Sequence, residues 1–231
     1  MANIKEPTEM IAEFLRARLT DPRGRYTEKI ENTTGSAAQT VINLNPGTGN
    51  IPRCITSLVI DSATKKKYED YDIDLYNKKL SLKTALSGGE SISVTYQYST
   101  SGNEWIYPDM PRKKLGVTKF PRIAITDVGE TGKRMGVYDA SVVSDVHLQI
   151  DFWTKERYSK TYSSENYADD DLARYFIRLI ETAFNDYIDD LYPYLHDYTK
   201  FAHRSMPFDK EYEAYHRILE VGFRGINIGG T

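Results

Sequence analysis

The sequence carries one cysteine, Cys54, and four histidines, His147, His196, His203 and His216. A lone thiol cannot close an internal disulfide, and the histidines form no HExxH pair and have no carboxylate at ligand spacing, so neither a disulfide framework nor a structural zinc site is expected. No stretch approaches about 18 consecutive apolar residues, which excludes a membrane-spanning helix. An excess of one charge is also missing: 30 basic residues against 33 acidic ones give a net charge of -3. That balance provides no broad electrostatic drive toward nucleic acid or an anionic membrane. The opening residues, MANIKEPTEM, lack the cationic start and apolar run of a signal peptide, so synthesis in the cytoplasm is the expectation.

Catalytic patterns are equally scarce. No GxSxG elbow frames a serine, and Cys54 opens a strand-like run, where a small buried thiol is commoner than a nucleophile. The segment from Asp127 to Arg134 looks like a phosphate loop, but that loop needs glycine at the first of these positions and serine or threonine at the last. A glycine-rich hairpin tip is the expectation. His147 beside Asp145 and Asp151 suggests a base with an acid partner, or simply a polar strand face, since alternate strand positions point the same way. Asp72 with Asp74, and the run Asp169, Asp170, Asp171, could be paired carboxylates; the first pair sits in a turn-bounded strand and the run suits a helix N-terminus. The basic triplets Lys65, Lys66, Lys67 and Arg112, Lys113, Lys114 read as solvated loops. No cofactor is expected.

Tyrosine is abundant: 18 of 231 residues, roughly double the average usage. Six lie between Tyr68 and Tyr107 and seven between Tyr158 and Tyr194. A large apolar ring with a polar tip suits surfaces that become buried on assembly, and the spread favours broad protein contacts over one pocket.

Hydrophobic spacing over residues 8–20 (Met10, Ile11, Phe14, Leu15, Leu19) predicts an amphipathic helix with Thr8 as N-cap. From about residue 35 to 105, short runs broken by turn residues predict some five strands, ESISVTYQY being the clearest. Residues 101–119 read as a linker or arm. PRIAITDV predicts a strand, as does SVVSDVHLQIDFWTK, with Val146, Leu148, Ile150 and Phe152 on one face and His147, Gln149, Asp151 and Trp153 on the other. A helix over 164–192 and a final strand in EAYHRILEVGFRG follow. The fold class expected is α+β: a small antiparallel sheet packed by two helices, residues 1–35 and 106–231, with an all-β sandwich-like module inserted at 36–105.

The order of these elements, with Phe120-Pro121-Arg122-Ile123 opening a strand, the glycine-tipped hairpin, DVHLQIDFWTK and Ser163-Ser164-Glu165 leading into the long helix, resembles the lambda-type tail terminator (tail completion) proteins of long-tailed bacteriophages. The resemblance covers about 160 residues outside the module. It implies a virion tail or neck protein without enzymatic activity. In that role a homohexameric ring caps the tail tube protein, joins the head connector, and passes DNA through its lumen without sequence-specific binding. Strongly basic walls would grip that DNA, so the mild net charge fits. The contacts expected are the His147 and Trp153 strand face, the hairpin around Lys133 and Arg134, and the segment carrying Tyr187, Tyr192, Tyr194 and Tyr198. Alternatives are a stopper or adaptor of the neck, or a baseplate or decoration protein whose module binds a glycan through Tyr68, Tyr71, Tyr76 and Trp105.

Overall fold

A computed structural model describes residues 6–109, 120–134, 142–155, 159–162, 164–192, 194–210 and 213–227. The chain is a mixed α+β protein of mostly antiparallel sheets, with two α-helices among the described residues. It divides into two compact units: Met1–Leu15, Trp105–Asp189 and Tyr194–Thr231 form the first, Arg16–Glu104 and Asp190–Pro193 the second.

The first unit contains most of helix α1 (Pro7–Arg18) and all of α2 (Asp169–Tyr187). Pro7, lacking the N–H that a first turn leaves unpaired, starts α1 one residue ahead of Thr8, the expected cap. The sheet runs β13 (Leu195–Ser205), β14 (Ala214–Asn227), β10 (Val142–Lys155), β9 (Arg122–Arg134), β8 (Ile106–Tyr107), and only the last pairing is parallel. Strand alternation sends Val146, Leu148, Ile150 and Phe152 into the core as expected. Phe176 of α2 stacks on Phe152 at 4.9 Å between ring centroids and meets the edge of Trp105 at 5.7 Å.

Several expectations change here. The expected hairpin tip at 127–134 is part of strand β9, which runs to Arg134. Trp105 and Ile106 are wholly buried, so the expected linker does not begin at 101; its remainder, 110–119 with Arg112, Lys113 and Lys114, lies outside the described residues. Ser164 and Glu165 do not open the helix: Ser159–Tyr162 (β11) and Glu165–Ala168 (β12) form a hairpin just before it. Tyr162, Tyr167 and Tyr175 stack there at 4.4 to 6.4 Å between centroids.

The second unit holds a four-stranded sheet, β1 (Thr27–Thr34), β7 (Ser91–Thr100), β3 (Asn50–Ile60), β4 (Ala63–Thr64), and a three-stranded one, β2 (Val41–Asn43), β6 (Lys79–Leu82), β5 (Tyr71–Asp74). Both sheets feed one apolar cluster: Ile92, Val94 and Tyr96 from β7, Ile55 and Leu58 from β3, Ile42 from β2, Leu80 from β6, Tyr71 and Ile73 from β5. The unit begins at Arg16, well before the expected boundary at 36. The reason is the eight-residue pairing of β1 with β7, together with a polar knot. Asp21 accepts hydrogen bonds from the Arg25 backbone and guanidinium at 2.5 and 2.7 Å, and Glu104 pairs with both Arg16 (3.3 Å) and Arg53.

Candidate interaction surface

The face of the five-stranded sheet turned away from α2 collects more of the expected site residues than any other place. Its first row crosses three strands in register, Arg122 on β9, Trp153 on β10 and His216 on β14. Trp153 stacks on His216 with centroids 3.7 Å apart and planes within 10°. The Arg122 guanidinium lies 5.5 Å from the Trp153 ring and 4.5 Å from that of Phe120, a cation held between two aromatic faces. Beside the row, Asp151 is fully buried and accepts from His216 Nε2 at 2.5 Å and from Gln149 Nε2 at 3.1 and 3.0 Å. Burying a carboxylate is tolerable only with such donors around it.

Towards the hairpin end the face opens. His147 is exposed and its ring lies 5.0 Å from that of Phe201, itself 53% exposed. Phe201 lies across Gly222, where a Cβ would come within 2.6 Å of the ring, so glycine is what lets the aromatic lie flat on the sheet. Charges here pair across strands. Arg224 reaches Asp197 at 3.2 Å and Asp145 at 3.7 Å, and Arg204 pairs with Glu220. Exposed pairs of this kind add little stability; with two arginines against three carboxylates they leave the face polar with a slight acidic excess.

Of the expected contact residues, His147 and Trp153 share this face, Trp153 half-buried in its stack. Lys133 and Arg134 stand opposite Val143 and Val142 in the β9–β10 ladder, and their side chains lie outside the described residues. Tyr187 (48% exposed) ends α2 and Tyr192 (57% exposed) is also on the surface, whereas Tyr194 is half-buried. Tyr198 departs from expectation. Half-buried, it packs against Phe184 (5.0 Å) and Phe223 (5.8 Å), and burial, with the nearby Glu181 carboxylate, pushes its hydroxyl up to about 12. Phe201 and the Asp151–His216 pair were missing from the sequence reading; the pair is 65 residues apart in the chain, so no local spacing announces it.

The proposed glycan platform does not form. Tyr68, Tyr71 and Trp105 are 3%, 2% and 0% exposed, and of the four aromatics only Tyr76, at 92%, stands on the surface. Asp74 caps its own turn, accepting from Asn77 N at 2.9 Å and Nδ2 at 2.7 Å. Cys54 is buried on β3. Among the described residues no three His, Cys, Asp or Glu side chains cluster as a metal site, and no helix is long and apolar enough to cross a membrane.

Acid sensitivity follows from the other side of β14. Asp170 is held below the usual carboxylate range by hydrogen bonds from Arg217 (2.7 and 2.5 Å), which outweigh its burial. His203 is held below the usual imidazole value by the partial desolvation of its ring and then by the Arg217 charge. In both cases the unfolded chain takes up the proton first, so stability is lost as pH falls. The loss attached to His203 begins below about pH 6.5 and that attached to Asp170 below about pH 3.9. Thermal melts from neutral to acidic pH are expected to fall in these two stages, and D170N to flatten the lower one; an unchanged lower stage in D170N would refute the assignment.

Comparison of the chain with protein-family models and with the curated proteins finds no match.

Proposed function

We propose that the chain is a structural virion protein of a tailed phage, forming a homohexameric ring at the head-proximal end of the tail tube, where it ends tail assembly and joins the head connector. The observation that carries this reading is the sheet face turned away from α2. It is broad, polar and set with aromatic and imidazole rings, His147 and Phe201 exposed and Trp153 and His216 partly covered. Such a composition suits contact with a protein surface. The second unit, with two sheets around one apolar cluster, is in this reading an inserted sandwich-like module carried on the ring.

The same reading makes the protein non-enzymatic. The Asp151–His216 pair is the nearest approach to a catalytic dyad, yet its hydrogen-bond partner among the described residues is Gln149, and His216 is covered by Trp153; no hydroxyl or thiol is hydrogen-bonded to it there. A stopper or adaptor of the neck would use the same kind of surface. Native mass spectrometry of the full chain, alone and with the tail tube protein, is expected to find six-copy assemblies, and W153A with H147A to reduce them. Monomers under every condition would end the proposal.

A further inference from the structure

The five-stranded and the four-stranded sheet each end on a long edge strand, and the two edges differ. β13 is irregular, with register shifts between His196 and Thr199 and between Lys200 and Ala202, and exposes Lys200, His203 and Arg204. Bulges and cations are how an edge strand is kept from pairing with a neighbour. β1 is regular where β13 is not: it pairs with β7 from Thr27↔Tyr98 to Thr34↔Ser91 without a shift, contains no proline, bears one lysine, Lys29, already paired with Glu31, and carries Ile30 at its middle, 58% exposed. Among the described residues no strand pairs with its other side.

We propose that β1 is a self-association edge, pairing antiparallel with β1 of a second copy about a two-fold axis centred on Ile30. The sequence TEKIENTT fits this register and resists its neighbours. Centred on Ile30, the pairing sets Ile30 against Ile30 of the second copy, Lys29 against Glu31, Glu28 against Asn32 and Thr27 against Thr33. Lys29 and Glu31 already share a face, 2.8 Å apart within one copy, so the two-fold closes a square of four charges alternating in sign. A continuous sheet must keep each side chain on its own face, so the centre can move only by whole residues. Centring on Lys29 opposes two lysines, and centring on Glu31 opposes two glutamates; both are disfavoured. The contact makes one eight-stranded sheet from two four-stranded ones and covers the exposed isoleucine of each.

A two-fold contact uses the same patch on both partners and cannot be the step of a cyclic ring. It therefore stands independently of the ring proposed above, linking two free copies or two rings. Its test is cysteine cross-linking in the full chain, where the native Cys54 is buried. Under mild oxidation I30C is expected to form disulfide dimers at least about tenfold faster than Y76C, a more exposed control, because pairing raises the effective concentration of the two thiols. E28C and N32C should each cross-link slowly alone and fast when mixed. I30C no faster than Y76C, or a mixture no faster than its components, would overturn the proposal, whether or not six-copy assemblies are seen.

Discussion

Replacing Phe176 by alanine is expected to lower the stability of the helix-bearing unit by about 4 kcal/mol, the upper range for a buried aromatic. Phe176 is 1% exposed and sits where three elements converge. Its ring stacks on Phe152 of β10 (4.9 Å), meets Trp105 edge-on (5.7 Å), and receives the edges of Tyr162 (5.8 Å) and Tyr175 (5.7 Å). Truncation leaves a cavity lined by rigid rings, which relax little and so recover little of the lost contact. F176L, which retains most of the apolar volume, should lose clearly less. Urea denaturation followed by the near-ultraviolet signal of the aromatic cluster measures both. A shift within about 0.5 kcal/mol for the alanine variant, the range of an ordinary surface substitution, would contradict this account of the core.

The second large effect is expected at Glu104, which anchors the second unit. Its Oε1 pairs with the guanidinium groups of Arg16 and Arg53, whose side chains are each only 8% exposed. Arg53 also donates to Ser99 Oγ at 2.8 Å and Arg16 to the Arg53 carbonyl at 3.4 Å, neutral acceptors that position the side chains but do not match the charge of the Glu104 carboxylate. E104A is expected to lose about 3 kcal/mol, and E104Q nearly as much, because the amide keeps the shape and loses the charge. Replacing the cations together with the acid, as in R16M/R53M/E104L, should recover part of the loss, since a packed apolar set often equals a buried ion network. Equal stability of E104A and the wild-type chain would show that this knot does not hold the unit.

Which elements were legible in the sequence depended on whether their buried face was apolar. β7 and β10 were read correctly because Ile92, Val94 and Tyr96, and Val146 to Phe152, alternate into a core. α2 declared itself by Leu172, Phe176 and Ile180. β1 was missed because only Lys29 and Glu31 are even half-covered, so its alternation carries no apolar signal. β13 was missed because its bulges break the two-residue period. The tyrosine excess illustrates a different limit. Composition showed that many rings need cover but not what covers them, and Tyr68, Tyr71 and Tyr96 are buried in their own unit. At the candidate surface, His147 and Trp153 were placed together by strand periodicity alone. Asp151 was assigned to the same face, yet its partner on β14 depends on register, which local sequence does not encode.

Register also gives meaning to Val128. In the β9–β10 ladder His147 faces Gly129 while Leu148 faces Asp127, so Val128 is the extra residue of a bulge, 63% exposed, with Asp127 Oδ1 accepting from Gly129 N at 2.8 Å to hold the kink. The bulge is a phase reset. Before it, even-numbered positions of β9 lie on the face of Trp153; after it, odd-numbered positions share the face of His147. Deleting Val128 would therefore make Asp127 and Gly129 consecutive, still opposite Leu148 and His147, and would straighten the strand without moving any side chain to the other face. Deleting a residue of the regular ladder instead, such as Ala124, would shift the alternation and send its neighbours to the opposite face, so the bulge is where this strand tolerates a change of length.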